Sequence, residues 1–213
     1  SIRAIITSGP TYEAIDPVRF IGNRSSGAQG SAIASALVRL GADVTFITGP
    51  STVNYPDGVK IVKVETADEM FLAVNEALPA EVAIFVAAVS DWKIENVQTQ
   101  KIKKSSGQQA PSLVLAENKD ILSYVSNLKQ DRPKLVIGFA AESENILENA
   151  STKRGKKGCD WIVANDVSLG SGVMGGKSNK ISLISETNTE NWPDMSKENV
   201  AERLVEKILK HLN

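Results

Sequence analysis

The stretch GNRSSGAQG, Gly22 to Gly30, has the outline of a phosphate-binding loop without its cation. A P-loop runs Gly, four residues, Gly, then Lys and Ser or Thr. Gly22 and Gly27 keep that spacing where a helix is expected to start, but Ala28 and Gln29 occupy the lysine and hydroxyl positions. Ser25, Ser26 and Gly27 could still turn amides and hydroxyls toward an anion at the positive end of the helix dipole. The alternative is an ordinary serine N-cap. Cations stand elsewhere in the chain. KIKK supplies Lys101, Lys103 and Lys104 in a stretch rich in Ser, Gly and Gln, and KRGKK supplies Lys153, Arg154, Lys156 and Lys157 at an expected helix end. Lys153 and Lys157 are four apart and share a helix face. Taken singly, the first cluster reads equally as a solvated loop and the second as cations answering a helix C-terminus. Together they offer ammonium groups that could close over a polyphosphate from different sides.

Other chemistries fit less well. A dinucleotide fingerprint needs Gly-x-Gly-x-x-Gly after the first strand and an acidic residue at the end of the second. Here the first strand is followed by Gly9 and Pro10, and the second ends in Thr48, Gly49 and Pro50. Cys159 lies beside Lys156 and Lys157, which could lower its pKa, but no histidine is placed in sequence to pair with it. His211 reads as a packing or surface residue of the last helix. With no activating base for a triad, an enzyme built on this chain would work by positioning and charge stabilisation.

The elements that must position these residues alternate between strand-like and helix-like. The 213 residues, 42% of them hydrophobic, suffice for one full core. Twenty-four basic against 25 acidic side chains leave a formal charge of −1, which does not advertise nucleic acid or anionic lipid as a partner. One cysteine allows no internal disulfide and no multi-cysteine metal site. With no apolar run near the ~18 residues of a membrane span and no signal-peptide pattern at the start, a reducing, cytoplasmic setting is expected. Ser1 in place of Met suggests a processed chain or an excised fragment.

Strands are expected at Arg3–Ser8, Asp43–Thr48, Val59–Val64, Val82–Val89, Leu135–Ala140 and Trp161–Ala164, with Lys180–Ser185 as an added edge strand. The continuously apolar Val82–Val89 should be central. Helices are expected at Ala28–Leu40, with a small-residue face of Ala28, Ala32, Ser35 and Ala36 and a cap at Gly41. Further helices follow: one to Leu78 opened by a Thr66/Glu69 capping box, Lys119–Leu128 capped by Asn118, Ile146–Lys157, and a last one capped by Ser196 with Val200, Leu204, Ile208 and Leu212 on one face. Asp91 to Ser112 reads as a mobile loop or ribbon. The fold class is α/β, a Rossmann-like three-layer sandwich with a mostly parallel central sheet and a small added β-ribbon or edge strand. It makes a single domain over 1–213. Ligands in such sheets bind outside the carboxyl ends of the strands. That selects Gly9 to Gly27, Ala87 to Asp91, the segment after Leu135–Ala140, and Asn165 with Asp166.

With those segments in view, the chain resembles the phosphopantothenoylcysteine synthetase family of coenzyme A biosynthesis, in its bacterial CTP-dependent form. The resemblance runs from about Ile6 to Val167 and is carried by ITSGPTYEAIDPVRFIGNRSSGAQG, AAVSDW, KIKK, VIGFAAES and KRGKKGCDWIVANDV. It implies a two-step ligation: the carboxylate of 4'-phosphopantothenate attacks the α-phosphate of CTP, giving an acyl-cytidylate and pyrophosphate, and the amine of cysteine then takes the acyl group and releases CMP. Mg²⁺ is implied with the phosphates, and no flavin on this domain. A homodimer is implied, as is a flavin-dependent decarboxylase half in many parent proteins. Neither nucleic acid nor membrane is an implied partner.

Carried over by position, the resemblance makes Asn23 the residue that holds the acyl-cytidylate and Lys101 the loop lysine of the first half-reaction. It places Arg19 and Ala88 near the pantothenate moiety, and Asp91 and Phe139 at the nucleotide. Phe85, Val86 and Ala87 fall where the central strand meets CTP, and Lys153 and Lys157 at the triphosphate. Lys119, Asp120, Ile121 and Leu122 lie on the nucleotide segment, where the family often has Asn-Pro-Asp and this chain has Asn118, Lys119 and Asp120. Trp92 stands where tyrosine is common. The metal ligands are not identified. The competing readings are the same ligation driven by ATP, a Rossmann-type oxidoreductase, and a nucleotide-sensing module without catalysis.

Overall fold

A computed structural model describes residues 1–168 and 178–213. Its elements in chain order are β1 (Arg3–Ser8), β2 (Tyr12–Ala14), β3 (Phe20–Gly22), α1 (Ala28–Arg39), β4 (Asp43–Thr48), β5 (Lys60–Lys63) and α2 (Ala67–Ala77). Then come β6 (Val82–Phe85), β7 (Trp92–Ile94), β8 (Leu115–Glu117), α3 (Ile121–Ser126), β9 (Leu135–Glu142), α4 (Ile146–Lys157) and β10 (Trp161–Asp166). The chain ends with β11 (Ser178–Asn179), β12 (Ile181–Ile184), β13 (Thr189–Asn191), β14 (Met195–Ser196) and α5 (Lys197–Leu212).

The main sheet has eight strands in the order β13-β12-β10-β9-β6-β1-β4-β5. From β10 to β5 every pairing is parallel, and β12 and β13 extend the β10 edge antiparallel. The parallel strands therefore follow the doubly wound order, and the chain reverses direction across the sheet between β1 and β6. In such folds that reversal point is where ligands enter.

Successive residues of the central strands point to opposite faces, so one strand feeds two cores. Ile6, Ile84, Ile137 and Val163 pack with Ile33 and Leu37 of α1 and Leu204 and Ile208 of α5. Their neighbours Ile5, Ala83, Val136 and Ile162 pack with Met70 of α2, Val125 of α3 and Ala150 of α4. Burying each large aliphatic side chain contributes about 1.5–3 kcal/mol, which explains why these strands read as unbroken apolar runs.

Cap chemistry sets several boundaries. The Thr66 hydroxyl accepts from Glu69 N at 3.2 Å, while the Glu69 carboxylate reaches back to Glu65 N, one residue outside the box. α1 closes with Gly41 N to Val38 O and Ala42 N to Leu37 O, the paired bonds of a Schellman ending. Ser196 caps α5 by accepting from Asn199 N at 3.1 Å.

Some expectations are corrected. The ladder of the central strand stops at Phe85 rather than Val89, because β9 no longer follows it beyond the Phe85–Gly138 pair. α3 begins at Ile121, capped by Asp120, whose carboxylate accepts from Ser123 N at 2.9 Å. Asn118 lies two residues ahead of that cap, and its Nδ2 donates to Ser90 O at 2.8 Å. The inward face of α1 is Gly30, Ile33, Ala34, Ala36 and Leu37, while Ala28, Ala32 and Ser35 are only partly covered. β12 is not the edge, since β13 pairs outside it. The Asp91–Ser112 region is anchored as a ribbon through β7 and β8. Finally, the first long loop contains its own hairpin, β2 and β3.

Candidate active site

Four connections converge at the carboxyl end of the parallel sheet, around the end of β6. Beyond Phe85 the chain alternates. Phe85, Ala87 and Val89 face a cavity of about 350 Å³, whereas Val86 packs into the α1 side of the core. Ala88 is held to the first loop by a bridge to Pro10, with Ala88 N donating to Gly9 O at 2.9 Å. The strand end thus separates a cavity side from a first-loop side.

The cavity gathers Phe85, Ala87, Asp91, Lys119, Asp120, Ile121, Leu122, Phe139, Lys153 and Lys157 from segments spread over more than seventy positions of sequence. Thr7, Ser90, Trp92, Glu117 and Asn118 complete the wall. Sequence reasoning did not select Thr7 or Glu117. Thr7 is the penultimate residue of β1, and Glu117 comes from β8, whose pairing with Trp92 leaves no local trace in the sequence.

Three lysines and three carboxylates line this space. Lys153 donates to Phe139 O at 3.1 Å. Burial, and then repulsion from Lys157, hold its ammonium below the usual lysine pKa. Lys157 pairs with Asp120, so one carboxylate both caps α3 and holds the second lysine. Asn127 accepts no charge but fixes this end of α4 by donating to Lys157 O at 3.0 Å. Lys119 lays its ammonium over the Phe71 ring, 4.4 Å from the centroid. A shallower depression of about 310 Å³ continues along α4 past Lys156 and shares Asp120, Lys153 and Lys157. A polyanion threaded from one space to the next would follow the lysine face of α4.

On the other side, β3 delivers Asn23, whose Nδ2 donates to Val89 O at 3.3 Å. Among the described residues, this long bond ties the exposed amide to the end of the central strand. α1 starts at Gly27, with φ of 76° and no side chain capping it. The serine N-cap reading therefore fails, although Ser26 and Ser25 make long turn bonds to Ala28 N and Gly27 N, each at 3.3 Å. The first-turn amides keep the capacity to meet an anion.

Arg19 sits at the hairpin tip, its guanidinium on Asp16 at 2.6 Å. Lys101 is exposed and does not line the cavity; Arg19 and Asn23 also lie outside it. The structure thus assembles the expected nucleotide residues into one space, except Val86 and Lys101, and sets Arg19 and Asn23 on a neighbouring loop to which Ala88 is bridged.

Cys159 is buried, and burial raises its thiol to about 11 despite the charges of Arg154 and Lys153. It is a packing residue. His211 stacks edge-on against Trp161 at 5.2 Å. The cavity beside it, of about 400 Å³ between α4, α5 and the β12–β13 hairpin, contains none of the expected site residues. Among the described residues, no group of three or more His, Cys, Asp or Glu is placed to hold a metal, and no helix is long and apolar enough to cross a membrane.

Comparison with known proteins gives the family and the fold. The coenzyme A biosynthesis bifunctional protein CoaBC of Vibrio cholerae is 39% identical over 207 residues, covering 97% of this chain and 52% of that protein. The chain thus spans about half the length of the curated relatives it matches. The crystal structure of the C-terminal domain of CoaBC superposes with a TM-score of 0.83 at 34% identity, covering 100% of this chain and 96% of that one. A Cab2 variant solved in complex with phosphopantothenate-cysteine shares the fold, with a TM-score of 0.73 at 15% identity over 99% of this chain and 86% of that one. A model of the DNA/pantothenate metabolism flavoprotein C-terminal domain matches residues 1–212, and the chain belongs to that family.

Proposed function

We propose that the chain joins 4'-phosphopantothenate to L-cysteine, using CTP and passing through an acyl-cytidylate, with release of pyrophosphate and CMP. The observation that carries this reading is the cavity beside β6. It collects the nucleotide residues implied by the family resemblance other than Val86 and Lys101, and it lies across one strand end from Asn23.

In this reading Phe139, Asp91 and the Lys119–Leu122 segment embrace the nucleoside, while Lys153 and Lys157 meet the triphosphate. A polyphosphate would draw Lys157 from Asp120, exchanging one carboxylate for several phosphate oxygens. The acid enters on the first-loop side, near Arg19 and Ala88, and its phosphate end suits the uncapped start of α1 at Ser25, Ser26 and Gly27. Asn23 would donate to the acyl oxygen as cysteine attacks.

Mg²⁺ would neutralise phosphate charge. With no cluster of three metal-ligating side chains among the described residues, it would be held chiefly by phosphate oxygens and water, as suits this ion. Asp91 and Glu117 are the cavity carboxylates that could add a ligand. The half of the relatives' length that this chain does not span would carry the decarboxylase.

The strand order alone would admit an oxidoreductase, but Pro10 lies on the end of β4, where a dinucleotide's ribose would be held. The deciding assay mixes the protein with phosphopantothenate, Mg²⁺ and CTP or ATP, with and without cysteine, and follows pyrophosphate and nucleoside monophosphate. Pyrophosphate from CTP is expected; none from either nucleotide would sink the ligase reading, and preference for ATP would sink the CTP part.

A homodimer is supported by apolar side chains exposed along the ribbon and hairpin: Trp92, Val97, Val114, Leu115, Val18 and Phe20. Val114 is 57% exposed, so Val114→Glu should leave the fold intact and shift the protein to a monomer in sedimentation. A dimer that persists would reject this face.

A further inference from the structure

Asp16 lies at the tip of the β2–β3 hairpin, beside a valine that is 60% exposed, yet its own side chain is wholly buried. Four donors bury it. Oδ1 accepts from Val18 N at 2.8 Å and Arg19 N at 2.7 Å, and these two bonds close the turn. Oδ2 accepts from Arg19 Nη1 at 2.6 Å and from Ile102 N at 3.0 Å. Arg19 Nη1 also donates to Ile102 O at 3.3 Å, so the Ile102 residue is gripped at both its N–H and its C=O. A second tether joins Gln98 N to Ile15 O at 3.0 Å.

The turn needs only one oxygen, and a neutral Asn or Ser would supply it. The second oxygen is invested in the Arg19 guanidinium and in a loop more than eighty positions away. Burial alone would raise this carboxyl, but the three amides and the guanidinium hold it well below the usual carboxylate range. It therefore stays charged at neutral pH.

We propose that Asp16 is a positioning residue that clips the Lys101 loop to the hairpin carrying Arg19 and leading into Asn23. Lys101 adjoins the gripped residue and keeps its ammonium in solvent. Between β7 and β8 the chain has some twenty residues of otherwise exposed loop. Unclipped, that loop would dilute the ammonium over a large volume. The clip holds it on the acyl side, where a nucleotide phosphate and the incoming carboxylate would meet, and fixes which face Arg19 offers the acid.

The role of Lys101 rests on the ligase reading; the clip does not. Amide exchange of the substrate-free protein tests the clip directly. In Asp16→Asn an amide NH₂ faces donors, and exchange at Ile102 should quicken at least ~10-fold, while the amides of Tyr12–Ala14 keep their protection. Exchange within twofold of wild type would overturn the clip.

Should Asp16→Asn loosen the hairpin itself, Ile102→Pro removes the loop's donor and leaves the turn bonds intact. It should lower kcat for pyrophosphate release about 10-fold at unchanged KM for phosphopantothenate. Asp16→Asn should also raise that KM, because Arg19 loses its orientation. A wild-type rate in Ile102→Pro would overturn the positioning role. A wild-type protein that releases no pyrophosphate would sink the ligase reading instead, and exchange at Ile102 would still decide the clip.

Discussion

Lys101→Gln is expected to abolish pyrophosphate release from CTP and phosphopantothenate, whereas Asn23→Asp should let pyrophosphate form and stall before CMP appears. The two variants separate because the two steps develop charge in different places. In the first, negative charge accumulates on the α-phosphate and the departing pyrophosphate, and a cation delivered to that site is worth about 10³-fold or more. Glutamine keeps the length of the side chain and some hydrogen bonding but no charge. In the second, the acyl carbon becomes tetrahedral and its oxygen takes the charge. Asn23 Nδ2, held by a long 3.3 Å bond to Val89 O, can be surrendered to that oxygen. Aspartate replaces this donor with a second negative charge, and loss of one such donor costs about 10²–10³-fold. Quenched single-turnover reactions with labelled CTP resolve the steps. A wild-type rate of pyrophosphate release in Lys101→Gln would reject the first assignment, and a wild-type rate of CMP release in Asn23→Asp would reject the second.

Much of this division was legible in the chain itself. Runs of apolar and β-branched residues gave β1, β4 and β9 their places, because both faces of a central strand are buried and the alternation of Ile5 with Ile6 serves two cores at once. Caps were legible where a single side chain decides them, as at Thr66 and Ser196. The site residues were selected by family resemblance and by the rule for carboxyl ends; composition alone located none of them. What escaped was set by pairing at long range. Glu117 enters the cavity only because β8 lies against β7. Asp120 replaces Asn118 as the cap because the helix starts only at Ile121, while Asn118 is turned toward a distant carbonyl, Ser90 O. Asp16 looks like an ordinary turn residue until Ile102 arrives on its second oxygen. Nor does proximity in sequence predict the state of Cys159, where burial outweighs the charges of Arg154 and Lys153.

Gly49→Ala is expected to destabilise the protein by more than about 3 kcal/mol and to lower the melting temperature by roughly 6 to 12 °C. The reason is a backbone crossing. Gly9 turns the chain at the end of β1 with φ of 72°, and the next residue passes over the end of β4. A Cβ added at Gly49 would stand 1.6 Å from Pro10 O and 2.8 Å from Pro10 C, both backbone atoms. No rotamer change relieves such a contact, so the first loop must lift. It is anchored close by on both sides: Gly49 N donates to Ser8 O at 3.0 Å, and Thr11 N to Ala88 O at 3.4 Å. Lifting Pro10 strains the Pro10–Ala88 bridge that joins the loop to the central strand. That bridge places the hairpin, and the hairpin places Asn23. Activity should therefore fall with stability, even in the fraction still folded. Gly155 in α4 supplies the control, since a Cβ there meets nothing within 4 Å, and Gly155→Ala should melt no lower than wild type. Calorimetry on the two variants decides the matter: a Gly49→Ala protein melting within about 2 °C of wild type would mean that the crossing is looser than the structure makes it. The end of β4 would then be open enough to readmit a dinucleotide at that edge.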